Sequence, residues 1–180
     1  MVVFSITAFV AVLVGRNFSR NQLDFQKIYG LIVSDVRRAQ SLAIASTRYN
    51  NVFRCGYGIH YENTTTYSLY TGPNASLVNC DTDNSRLGFG NSGETRLSDY
   101  SFKTIPDLNA EFKNSFPDVF FKPPDPKTFI NDQNILGNGA GTVAAITIGK
   151  IGVACPSNCK TICVYSSGSI ELRDGAAGSC

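Results

Sequence analysis

Residues 21–46, NQLDFQKIYGLIVSDVRRAQSLAIAS, carry the pattern that decides the fold. Ile28, Ile32, Val36, Ala39 and Ala43 recur at spacings of three and four, which places them on one face of a helix. Lys27, Arg37, Arg38 and Gln40 fall largely elsewhere around the same helix. The apolar stripe narrows to alanine and serine toward its end, where a helix lies close against another layer. From Met1 to about Tyr49 there is no proline, and Gly15 and Gly30 are the only glycines. The segment therefore reads as one long helix stopped by Asn50-Asn51. At 1.5 Å per residue, about 50 residues extend roughly 75 Å, far more than a globular body of this size needs.

Upstream of the amphipathic stretch, Met1–Val14 is almost wholly apolar, and no charge precedes it. About 14 helical residues span roughly 21 Å, whereas a bilayer core takes about 20 residues. A signal peptide needs a basic stretch before the apolar run and small residues at a cleavage site after it. Neither flank is present here. The first 50 residues hold Arg16, Arg20, Lys27, Arg37, Arg38 and Arg48 against Asp24 and Asp35, a net of +4. With +2 overall, the rest of the chain carries −2. A basic first quarter beside an apolar end suits an anionic membrane surface as well as it suits plain solvation.

Downstream, the pattern changes to short β-rich runs between turn residues. VFRCGYGIHY and TTYSLYTG read as a hairpin around Glu62-Asn63-Thr64. VFF, TVAAITIG, KTICVYS and SIELR are further strand candidates, separated by polar, glycine-rich loops. All six cysteines lie in this part of the chain, which points to disulfides and an oxidising compartment. The three-residue spacing of Cys155, Cys159 and Cys163 fits a zinc knuckle less well. Six cysteines allow fifteen pairings; Cys55–Cys80, Cys155–Cys159 and Cys163–Cys180 is the set adopted here.

Groups suited to catalysis are scarce. The single histidine, His60, sits in an alternating strand pattern and reads as structural or surface rather than catalytic. GNGAG at 137–141 lacks the lysine and following helix of a phosphate-binding loop. Asp81, Asp83 and Ser85 begin like a calcium loop, but Arg86 and Ser92 occupy the positions of its glycine and closing glutamate. They remain a weak calcium candidate beside a solvated loop. No catalytic residue and no cofactor is expected, so the chain does not read as an enzyme.

VVFSITAFVAVLVGRNFSRNQ, continuing into SDVRRAQSLAIAS, resembles the start of a type IV pilin or pseudopilin. The stretch from Ser34 to Ser46, with TICVYSSGSIELR near the C-terminus, resembles the GspH/FimT-type minor pseudopilins most. The Phe-Thr-Leu-Ile-Glu start of that family is absent, and Met1 aligns about six residues inside its mature helix. The apolar run thus reads as the remainder of an assembly helix whose first residues precede Met1. Arg16 stands where many relatives have a proline. Gly168-Ser169-Ile170-Glu171 stands where some FimT-type proteins carry a DNA-binding Gly-Arg-x-Arg turn.

The resemblance implies an α+β, pilin-like fold, with a long N-terminal helix packed on an antiparallel β-sheet or β-sandwich. The expected divisions are 1–25, a membrane or filament-core half of the helix; 26–50, its amphipathic half; and 51–180, a disulfide-stapled β domain. Assembly is expected through Val2, Val3, Phe4, Ile6, Phe9, Val10, Val12, Leu13 and Phe18, with Ile28, Ile32, Val36, Ala39 and Ala43 facing the sheet. The implied function is a structural subunit of a type IV pilus or type II secretion pseudopilus in a prokaryotic envelope. Its partners would be copies of itself or other pilins, and the inner membrane before assembly. Two alternatives are a DNA-binding minor pilin and a membrane-tethered extracellular adhesin. The missing arginines argue against nucleic acid as a partner.

Overall fold

The computed structural model describes residues 26–81, 89–90, 93–105, 109–123, 127–131, 143–156, 159–175 and 180. The expected α+β fold built around a long N-terminal helix is not what it shows. The protein is mainly β: 46% of the described residues are in strands and 18% are helical. Among the described residues the one α-helix, α1, covers 26–44, and it ends several residues before the expected stop at Asn50-Asn51. The apolar run and every assembly residue named above, from Val2 to Phe18, lie outside the described residues. No helix among those described is long and apolar enough to cross a membrane.

The helix ends before Asn50-Asn51 because an earlier stop intervenes. Ser46 takes a left-handed φ of 46°. Its N–H donates to the Ala43 carbonyl at 3.0 Å, and that of Thr47 donates to Leu42 at 3.1 Å. This double bond pattern is the Schellman closure, which satisfies the last carbonyls of the helix. Asn50 and Asn51 have a different task. With φ of 53° and 62° they form a two-residue turn joining β1 (Arg48–Tyr49) to β2 (Val52–Phe53). Positive φ at both central residues matches the right-handed twist of paired strands, and asparagine tolerates it. The boundary drawn at residue 50 therefore falls inside a hairpin.

The remaining strands make two antiparallel sheets. One has the order β5-β4-β3-β7-β8, with β3 Tyr57–Asn63, β4 Thr66–Thr71, β5 Thr95–Ser101, β7 Val119–Lys122 and β8 Lys127–Ile130. The other has the order β11-β10-β9-β6, with β6 Ala110–Phe112, β9 Val143–Lys150, β10 Cys159–Tyr165 and β11 Ile170–Asp174. Ile28, Ile32, Val36, Ala39 and Ala43 are all buried, in one core shared with Ile59, Leu69 and Val119 of the first sheet and Ile146, Ile162 and Val164 of the second. Alternation along each strand sends every second side chain into that core. The small residues near the end of α1 let its backbone come close to the sheets, as their size requires.

Gly58 shows how tightly the first sheet is packed. A Cβ there would lie 2.6 Å from the Val119 carbonyl and 2.8 Å from the Tyr70 ring. Phe116, Val119, Phe120 and Phe121 are likewise buried.

Candidate functional site

The sole histidine lies on the outer face of the five-stranded sheet, at the centre of a polar and aromatic cluster. His60 is on β3, and its cross-strand partner on β4 is Ser68. Asp118, just before β7, accepts two hydrogen bonds. Its Oδ1 is 2.6 Å from His60 Nδ1, and its Oδ2 takes the Phe89 backbone N–H at 2.7 Å. The Phe89 ring lies 4.5 Å from the His60 ring and 5.2 Å from Tyr70, with the Arg96 guanidinium 5.3 Å from its centroid. Arg96 in turn pairs with Glu62 at 2.6 Å and Asp99 at 3.2 Å.

Serine, histidine and aspartate thus converge, which makes nucleophilic catalysis the first chemistry to consider. With the Asp118 carboxylate ionised, Nδ1 carries the proton and Nε2 is the basic nitrogen. A nucleophile would have to donate to Nε2. Ser68 does not, because it is fully buried and its hydroxyl donates to Glu62 Oε1 at 2.9 Å. The cluster instead fastens the backbone at residue 89 onto the sheet, and the Cys55–Cys80 bond tethers the same connection nearby.

A second group of polar contacts fastens α1. Asp35 is 5% exposed, and its Oδ2 accepts from the fully buried Tyr67 hydroxyl at 2.5 Å. Burial raises the Asp35 carboxyl above its ordinary value, while the Tyr67 hydroxyl and the nearby Arg38 charge pull it back in part. Burial, the Asp35 hydrogen bond and the Asp35 charge all push the Tyr67 hydroxyl upward. Arg38 Nη1 donates to Tyr100 Oη at 3.3 Å, and the Tyr100 and Tyr67 rings stack 5.2 Å apart. On the other side of the helix, Tyr29 donates to the Ile148 carbonyl at 3.2 Å and Gln40 to the Gly168 carbonyl at 3.4 Å. Both sheets therefore hold the helix by hydrogen bonds as well as by burial.

The disulfides join Cys55 to Cys80, Cys155 to Cys159 and Cys163 to Cys180, with Cα separations of 5.3, 5.4 and 5.7 Å. Of the calcium candidates, Asp81 carries an ion pair with Lys122 at 2.6 Å, whose hydrogen bond and charge hold its carboxyl below the usual range. Asp83 and Ser85 lie outside the described residues. Among the described residues no group of three or more histidine, cysteine or acidic side chains is placed to hold a metal.

No protein-family model, no curated protein and no solved structure matches the chain.

Two functional placements were not anticipated from the sequence. Asp35 lies three residues after Ile32 and four before Ala39, on the buried stripe, so an acid on an apolar face was the available signal. Asp118 gave none, because β3–β7 pairing brings position 60 to it and position 89 reaches it from the connection between β4 and β5.

Proposed function

We propose that this chain is a structural subunit of an extracellular filament of the type IV pilus or type II secretion pseudopilus kind. The observation that supports the reading best is the anchoring of α1. Five apolar side chains and four hydrogen-bonding ones tie residues 28–43 to both sheets, downstream of the apolar segment in the chain. A pull on that segment would be carried into the whole β body rather than peeling off one strand. Burial of a large aliphatic side chain is worth about 1.5–3 kcal/mol, so Ile28, Ile32 and Val36 alone resist such a pull strongly.

In this reading the apolar run contacts neighbouring subunits after assembly and the inner membrane before it, and the β body faces outward. Three disulfides suit an oxidising space outside the cytoplasm. The test is to express the chain in a piliated bacterial host and image sheared filaments by electron cryomicroscopy. Density for the β body around a core formed by residues 1–25 is the expected result. Recovery of the intact chain only as a monodisperse soluble monomer, with reduced cysteines, would refute the proposal.

A further inference from the structure

β11 is the end strand of the four-stranded sheet. Among the described residues no strand pairs with its outer edge. The bonds from Tyr165 N–H to the Ser169 carbonyl and from Gly175 N–H to the Cys159 carbonyl bracket the β10–β11 ladder. Alternation in an antiparallel ladder then makes Cys163–Glu171 and Thr161–Arg173 the hydrogen-bonded pairs. Ile170, Leu172 and Asp174 therefore turn their N–H and C=O groups to the open side. The strand contains no proline and no bulge, and its charged residues are Glu171, Arg173 and Asp174.

The side chains add a pattern to this open edge. Leu172 is 60% exposed and borders a groove of about 500 Å³ running between β11 and α1. Tyr29, Gly30 and Val33 form the helix side of that groove, and nothing lies within 4 Å of where a Cβ on Gly30 would sit. On the opposite face of the strand, Glu171 and Arg173 are 2.9 Å apart, flanked by Tyr165.

We infer that β11 pairs antiparallel with β11 of a second copy, about a two-fold axis through Leu172. Centred there, Glu171 and Arg173 stand at mirror positions with opposite charges, and Ile170 stands opposite Asp174. Leu172 meets the partner's Leu172 as a hydrogen-bonded pair, Glu171 opposes the partner's Arg173, and Arg173 opposes the partner's Glu171. The two leucines lie on the helix-facing side of the joined sheet and fill the space over Gly30 and Val33. Sliding the seam by one position in either direction centres it on Glu171 or Arg173 and sets like charges opposite each other, which is destabilising. The charge order thus selects one register out of three. The result is an isologous contact that joins two four-stranded sheets into one. It uses neither the apolar run nor a filament, so it stands apart from the assembly reading above.

The test is sedimentation velocity on the full chain in mild detergent, from about 1 to 100 µM, a range suited to a short seam. The wild type is expected to dimerise with concentration. Glu171→Arg and Arg173→Glu each turn two opposite-charge pairs into like-charge pairs and are expected to weaken the dimer about tenfold or more. An equimolar mixture of the two variants pairs arginines with glutamates and is expected to recover wild-type association. Both side chains are exposed, so each variant should keep the wild-type far-ultraviolet circular dichroism. A wild type that stays monomeric throughout, single variants that dimerise as well as the wild type, or a mixture that does not recover would each overturn the proposal.

Discussion

Replacing Tyr67 by phenylalanine removes one hydroxyl and leaves the ring among Tyr100, Phe102 and Phe112. What disappears is the donor to Asp35, which is 5% exposed. A hydrogen bond to a charged group contributes about 1.5–3 kcal/mol, and leaving its partner buried and unpaired is what makes the loss costly. For a chain of this length about 1 kcal/mol moves the melting temperature by roughly 2–4 °C, so Y67F should melt about 3–12 °C lower at pH 7. The loss should depend on pH. Burial raises the Asp35 carboxyl in the folded protein above its ordinary value of 3.8. Stability tied to its protonated form is therefore complete below pH 3.8 and declines as pH rises through the folded value. Removing the Tyr67 hydroxyl, which favours the ionised form, raises that folded value further. The gap between wild type and Y67F should accordingly be small near pH 3 and widen toward pH 7. In an Asp35→Asn background, with no charge to form, the gap should lose its pH dependence. Thermal unfolding followed by circular dichroism between pH 3 and 8 measures all four proteins. A gap of equal size at both ends of that range, or a Y67F variant as stable as wild type at pH 7, would refute the reasoning.

Three other perturbations have defined outcomes. Ser46→Gly relieves a side chain held at a φ of 46° in the helix closure and should raise stability by about 1 kcal/mol, read as a higher urea midpoint. Gly58→Ala forces a methyl to within 2.6 Å of the Val119 carbonyl and should cost about 1–3 kcal/mol in the same titration; a neutral result would show that β3 and β7 can separate. Asp118→Ala removes the acceptor of the Phe89 amide, whose hydrogen exchange should accelerate roughly tenfold or more while amides of β9 and β10 keep their protection.

Reading the chain one segment at a time succeeded where structure is local and failed where it is not. The expected positions of β3, β4, β7, β9, β10 and β11 overlap their observed ranges, because alternation and turn residues are written into consecutive positions. β5 was missed: it carries a bulge opposite Leu69 and Tyr70 and alternates poorly between buried and exposed sites. β8 follows a proline-rich stretch that hid it, and β6 is only three residues long. The helix was overextended because nothing in Ala45-Ser46-Thr47 announces a stop. Serine rarely takes the left-handed conformation that closes α1 there.

The sequence by itself determined the buried stripe of α1, whose spacing follows from 3.6 residues per turn, and the confinement of all cysteines to the β-rich part. Tertiary structure alone decided the division of the strands into two sheets, the joining of Asp35 to Tyr67 across 32 residues, and the meeting of His60, Phe89 and Asp118. It also decided that, among the described residues, β11 ends its sheet with one edge unpaired. Helical periodicity repeats within a few residues and can be read locally. Strand partners and sheet edges are set by which distant segments bury their faces together, and no short stretch of sequence carries that information.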